Sequence, residues 1–185
     1  GDWQPMVETV KVYSIGLGGD SEVRFYGGSV ALGPRRVVPM SLLAQQYPHI
    51  LTRMQAHLDD TPTPRHNRFV TRLERNQALL SQLTPIEHQA WEMLEQGPVE
   101  METLVFKDQD LAKAMARLER KGMAIYSGFT PSDAAHVLGN SDHWSVEGAN
   151  LAAQIWARQM RHLYGLGSWE KGNAKEPAER VFTLM

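Results

Sequence analysis

The residues best suited to chemistry form one short loop, Ile15-Gly16-Leu17-Gly18-Gly19-Asp20-Ser21. Glycine tolerates positive φ and carries no Cβ, so a Gly-x-Gly-Gly run lets backbone N–H groups close around an anion. A phosphate or the edge of a nucleotide is the ligand such a loop would hold. The same spacing also suits a tight turn between two strands. No Gly-Lys-Ser/Thr follows and no third glycine opens a helix, so the loop is neither a Walker A nor a dinucleotide fingerprint. Asp20 repels phosphate unless a metal bridges the two, so it either ligates Mg²⁺ or fixes the turn. The Ser21 hydroxyl could donate to a phosphate or cap the turn.

Asp133 is the second candidate. In Thr130-Pro131-Ser132-Asp133 it occupies the third position of a helix capped by Thr130, where a carboxylate favours the helix dipole. It could equally face a substrate. Arg35 and Arg36 could grip a phosphate or carboxylate, or stand solvated on an extended segment. The histidines, at 49, 57, 66, 88, 136, 143 and 162, include no i, i+3 or i, i+4 pair, and no cysteine assists them. Asp142-His143 beside Trp144 is a local acid–histidine pair, and it also suits a helix cap. No Gly-x-Ser-x-Gly elbow supplies a nucleophile.

These residues need elements to position them. Val7–Ile15 alternates and is rich in β-branched residues, so it reads as a strand entering the glycine loop. Glu22–Tyr26 reads as a second strand, Gly27-Gly28 as a turn and Ser29–Leu32 as a hairpin partner broken by Gly33-Pro34. Ser41 is a helix cap for residues 42–47, and a further helix follows Pro48. Asp59-Asp60-Thr61-Pro62-Thr63-Pro64 reads as a linker, and Phe69–Leu73 as a strand. Thr84-Pro85-Ile86-Glu87 carries a capping box. Helices then follow from residue 85, over 101–106 and over 110–121, with a strand at 123–126. Helix, short helix, helix and strand is the order of a winged-helix module. Thr130-Pro131 opens another helix, 145–163 is the longest, and Val181–Met185 reads as a terminal strand.

Composition sets the outer limits. The 185 residues are 42% hydrophobic and 22% charged, ordinary for a folded protein of one or two domains. The net charge of -2 lacks the basic excess of a dedicated nucleic-acid binder. Lys113, Arg117, Arg120 and Lys121 make the third helix of the middle segment basic. Glu87, Glu92, Glu95, Glu100 and Glu102 make its first half acidic, which argues against nucleic acid as its partner. Without cysteine, disulfides and thiolate metal sites are excluded. No apolar run reaches membrane-spanning length and no signal peptide is recognisable, so a cytoplasmic, non-membrane protein is expected.

Two segments resemble a known family. Lys11–Ser21 is similar to the "V-T-I-G-A-G-G-G-S" segment of hydantoinase/oxoprolinase (hydantoinase A) proteins, with Asp20 where that family has a third consecutive glycine. Phe129–Gly139 resembles the family's "T-x-T-D-A-x-x-V-L-G". The resemblance covers roughly residues 1–40 and 128–163. It implies an α+β chain: a partial actin-like ATPase lobe from residues 1–66 with 128–185, interrupted by a winged-helix-like insertion at 67–127. It implies ATP and Mg²⁺ as cofactors of a longer parent protein that activates a cyclic amide or related carbonyl. Gly16, Gly18, Gly19, Asp20 and Ser21 become the cofactor-side candidates, and Asp133 the substrate-side candidate. No catalytic residue and no metal ligand is assigned. The family's two D-x-G-G-T phosphate loops are not in this sequence. The chain is therefore expected to be a fragment, to bind no cofactor tightly and to turn over no ATP by itself. Its partner would be the remainder of the parent chain. The edge of a truncated sheet could also pair with a second copy.

Overall fold

A computed structural model describes residues 19–74 and 77–185. The Val7–Ile15 strand expected from sequence, and Gly16 and Gly18, lie outside the described residues. The chain is mixed α and β with small sheets. It divides into two compact units: Arg68–Ser127, and residues 19–67 with Gly128–Met185.

The larger unit is built on one helix. Its elements are β1 (Ser21–Tyr26), β2 (Ser29–Arg36), β3 (Val38–Pro39), α1 (Met40–Gln46) and α2 (Ile50–Asp59). After the smaller unit come α6 (Pro131–Val137), α7 (Val146–Tyr164) and α8 (Lys175–Phe182). Helix α7 starts where the Ser145 hydroxyl accepts the Gly148 N–H at 2.9 Å, and it ends at Gly165 in the left-handed conformation. Helices α1, α2, α6 and α8 pack on it. Its core stripe mixes small and large residues: Ala149, Ala152, Ala153, Ile155 and Trp156, all buried. Gly148 is fixed by close approach, because a Cβ there would lie 2.7 Å from the Ala44 Cβ on α1.

Strands β1 and β2 form the expected hairpin through Gly27-Gly28. At Gly33-Pro34, where a break is expected, the strand bulges and does not end. Strand β2 continues to Arg36, but its regular pairing is interrupted there: Gly33, Pro34 and Arg35 together stand opposite Glu22, between the pairs Leu32–Val23 and Arg36–Ser21. Among the described residues β1 and β2 pair only with each other, and a proline without an N–H is tolerated at such a bulge. The stretch expected to be a linker, residues 59–64, is a mostly exposed irregular connection from the end of α2, but it is pinned within the larger unit at two points. Pro62 is buried, and the Gln159 amide on α7 donates to the Thr63 and His66 carbonyls at 2.9 and 3.1 Å. The expected terminal strand is also corrected. Lys175–Phe182 is a helix that buries Ala178 and Val181, so packing against α6 and α7 overrides the β propensity of Val181-Phe182-Thr183.

The smaller unit contains β4 (Phe69–Arg72), α3 (Pro85–Met93), β5 (Val99–Glu100), α4 (Met101–Lys107), α5 (Gln109–Arg120) and β6 (Ala124–Gly128). Strand β4 is central, antiparallel to β5 on one side and β6 on the other. Thr84 and Glu87 form the capping box that starts α3, and Asp108 caps α5 by accepting the Leu111 N–H. Phe69, Val70, Ala90, Trp91, Met115 and Leu118 make the core. Glu87 is almost fully buried and receives the Arg117 Nε and the Lys121 Nζ, each at 2.7 Å. That bond set locks α3 to α5. The Lys121 and Arg117 bonds and the Thr84 N–H hold the Glu87 carboxyl down from 4.5 to about 2, against the opposing effect of burial. The Arg72 guanidinium lies 3.7 Å from the centre of the Trp91 ring.

Candidate functional site

Two of the described sequence candidates, Gly19 and Asp133, meet at the start of α6. Thr130 is extended and its hydroxyl accepts the Asp133 N–H, while the Thr130 N–H donates back to Asp133 Oδ2 at 3.0 Å. This is a capping box with Asp in place of the commoner Glu, and Pro131 supplies the preset φ of the first turn.

Asp133 reaches further than its own helix. Its Oδ2 also accepts the Met40 N–H at 3.1 Å and the Thr130 hydroxyl at 3.1 Å. Its Oδ1 accepts the Ser41 N–H at 2.8 Å and the Ser41 hydroxyl at 2.5 Å. Met40 and Ser41 are the first two residues of α1. The sequence reading made Ser41 the cap of that helix. Pro39 occupies the cap position instead, and the capping oxygens come from Asp133. Two helix N-termini therefore meet on one carboxylate, whose five hydrogen bonds offset a burial that is complete. Burial still pushes the Asp133 carboxyl up, while the Ser41, Thr130 and Met40 donors pull it back. So placed, Asp133 fixes the geometry around it and does not present itself to a molecule from solvent.

The end of the glycine loop is held against the same turn. The Gly19 carbonyl accepts the Ser132 N–H at 3.0 Å. Asp20 is buried; its carbonyl accepts the Val37 N–H at 2.9 Å, and its carboxylate accepts the Arg36 Nη1 at 2.6 Å. Arg36 is not a free solvated cation, although much of its side chain remains exposed. Arg35 lies 3.8 Å from Glu22 across the hairpin. Ser21 opens β1 opposite Arg36. The structure thus brings together Gly19, Asp20, Ser132 and Asp133, which the sequence separates by more than a hundred positions.

A contact that sequence reasoning missed lies on the same helix. Local spacing singles out Asp142-His143, whereas the histidine bonded on this helix is His136. The His136 Nδ1 lies 2.7 Å from the Ser132 carbonyl and Nε2 lies 3.1 Å from the Trp144 N–H. A carbonyl can only accept and an N–H can only donate, so the ring is the neutral Nδ1–H tautomer. Trp144 stacks on it with centroids 5.3 Å apart. The only signal in sequence is Ser132 to His136, one helical turn apart, which is too common to be read as a site.

Among the described residues no group of three or more His, Asp or Glu side chains converges as a metal centre, and no helix is long and apolar enough to cross a membrane. Compared with protein-family models, curated proteins and solved structures, the chain matches none.

Proposed function

We propose that the larger unit is part of an actin-like lobe of an ATP-dependent hydantoinase/oxoprolinase-type enzyme, in which the glycine loop borders the nucleotide or substrate cleft. One observation carries the reading: the Gly19 carbonyl accepts the Ser132 N–H. That bond joins the two segments on which the resemblance rests. The division of the chain at 67/68 and 127/128 supports it too, because it separates those segments from a compact unit of their intervening residues. The parent reaction is ATP-dependent opening of a cyclic amide or a related carbonyl, with Mg²⁺ as the nucleotide's counter-ion. Asp20 does not fit the role of Mg²⁺ ligand, since its buried carboxylate is taken by Arg36. Asp133 has the role of a positioning residue that sets α1 and α6 beside the loop. The test is the coding sequence on either side. Two D-x-G-G-T loops upstream, and ADP release by that longer protein with hydantoin or 5-oxoproline, support the reading. An uninterrupted frame without those loops overturns it.

A second reading concerns the smaller unit. Helix, strand, two helices and strand, with the sheet order β5-β4-β6, supports a winged-helix-like module whose third strand comes from before the first helix. Two of its four basic residues, Arg117 and Lys121, are engaged by Glu87, which weakens the case for DNA reading. A packing or protein-contact role fits better. Duplex DNA that shifts at low salt, and no longer shifts after reversing Lys113 and Arg117, would overturn that preference.

A further inference from the structure

The C-terminal half of α7 and the loop that follows it enclose a cavity of about 500 Å³. Leu58, Pro62 and Ala157 give it a buried apolar floor. Arg158, Arg161 and His162 line it from α7, at spacings that put them on one face of the helix. Lys171 joins them from the loop, and Glu170 is the one carboxylate in the lining. Three permanent cations thus face a single acid. Arg161 donates to the Gly167 carbonyl at 3.2 Å, whereas Arg158 and Lys171 have no ion-pair partner among the described residues. This contrasts with Arg36, Arg117 and Lys121, each bound to a buried carboxylate.

The cavity also has a fixed aromatic wall. Trp169 lies over Gly167, whose φ is 77° and where a Cβ would come 2.8 Å from the indole ring. Behind it stands Trp156, 5.7 Å away by ring centroids, and behind that Phe129 at 5.5 Å. The wall is therefore anchored in the core before any ligand arrives, which lowers the entropy lost on binding. A volume of this size is that of a small-molecule site, typically about 300–1,000 Å³.

We propose that this cavity binds a small organic anion, its phosphate or carboxylate head shared by Arg158 and Lys171 and its flat apolar body seated on the floor beside Trp169. A bare inorganic ion would leave the floor and the wall uncovered, and a neutral ring would leave two cations unmatched. The inference rests on this cavity alone and stands apart from the reading of the glycine loop.

Calorimetry and tryptophan fluorescence on the full chain test it, with phenyl phosphate, benzoate, inorganic phosphate and phenol as probes. One of the two organic anions should bind at least about tenfold more tightly than inorganic phosphate or phenol, and the tighter of the two assigns the head group. The double change Arg158→Gln with Lys171→Gln should weaken it by a similar factor, and Trp169→Phe should remove most of the fluorescence response. Should the double variant melt early, Lys171→Gln alone and titration in raised salt ask the same question. Failure of both organic anions to bind at millimolar concentration overturns the proposal. So does undiminished binding by the charge variants, or inorganic phosphate binding as tightly as phenyl phosphate.

Discussion

Replacing Asp133 by asparagine changes one oxygen to an NH₂ and removes one charge, with almost no change in shape. Both carboxylate oxygens accept backbone N–H groups: Ser41 on Oδ1, Met40 and Thr130 on Oδ2. The Ser41 and Thr130 hydroxyls can turn and accept, but the backbone donors cannot. With the amide nitrogen on the Ser41 side, one buried N–H faces a donor; with it on the other side, two do. The lesser arrangement strands one donor, which costs about 1–3 kcal/mol, partly offset by removal of a buried charge. Asp133→Ala strands all three backbone donors and loses the cap of two helices, so about 3–5 kcal/mol is expected. Urea unfolding followed by far-UV circular dichroism measures both. Hydrogen exchange should show faster opening at the Met40 and Ser41 amides in the same variants. If Asp133→Asn and Asp133→Ala both unfold within about 0.5 kcal/mol of the parent, the double-cap reasoning is wrong. A variant that keeps its stability but abolishes activity in the proposed parent protein would favour a substrate-side role for Asp133.

Glu87 should make the smaller unit acid-sensitive. Its folded value of about 2 lies below the ordinary 4.5, so the stability it contributes is present above pH 4.5 and drains away as pH falls towards 2. The full difference corresponds to about 3 kcal/mol; with Arg117 and Lys121 each about a third exposed, about 1–2 is expected after solvent screening. Glu87→Gln should flatten that slope in acid titrations of unfolding, and an unchanged slope would refute the assignment. Gly148→Ala should cost about 1–3 kcal/mol by forcing α7 away from α1, read as a lower Tm; an unchanged or raised Tm would show that the two helices separate freely. Arg36→Gln should destabilise by about 1–3 kcal/mol because it leaves the buried Asp20 carboxylate without its cation, with Asp20→Asn in the same background restoring part of the loss.

Local chemistry was legible in the sequence, and long-range chemistry was not. Thr84-Pro85 and Thr130-Pro131 announce helix starts because capping needs only neighbouring residues. The hairpin at Gly27-Gly28 was legible for the same reason. The terminal strand failed at Val181-Phe182, where burial against α6 and α7 decides and β-branching does not. The tether of the linker at Thr63 was not legible, because its partner Gln159 lies about a hundred residues away. At the candidate site, Asp20 and Asp133 were visible as unusual acids in capped or glycine-rich settings. Their partners, Arg36 across a hairpin and Ser41 on another helix, leave no mark on local pattern.

Two nearly identical signatures show how far local reading can go. Thr84-Pro85-Ile86-Glu87 and Thr130-Pro131-Ser132-Asp133 each place Thr at the cap, Pro first and an acid third, and each forms a full capping box. Beyond that their fates part. The longer glutamate extends to Arg117 and Lys121, so charge meets charge and its carboxyl is pulled down. The shorter aspartate stays at the backbone, gathers N–H groups and hydroxyls without a cation, and burial pushes it up. One methylene and the identity of the facing helix separate a joint that weakens in acid from one that does not depend on a counter-charge. Both acids are thereby spent on holding helices together, as are Arg117 and Lys121, while Arg36 is spent on the buried Asp20 carboxylate beside the hairpin. Arg158 and Lys171 in the α7 cavity have no such acid among the described residues, which is why recognition of an outside anion is argued there and not at the more conspicuous carboxylates.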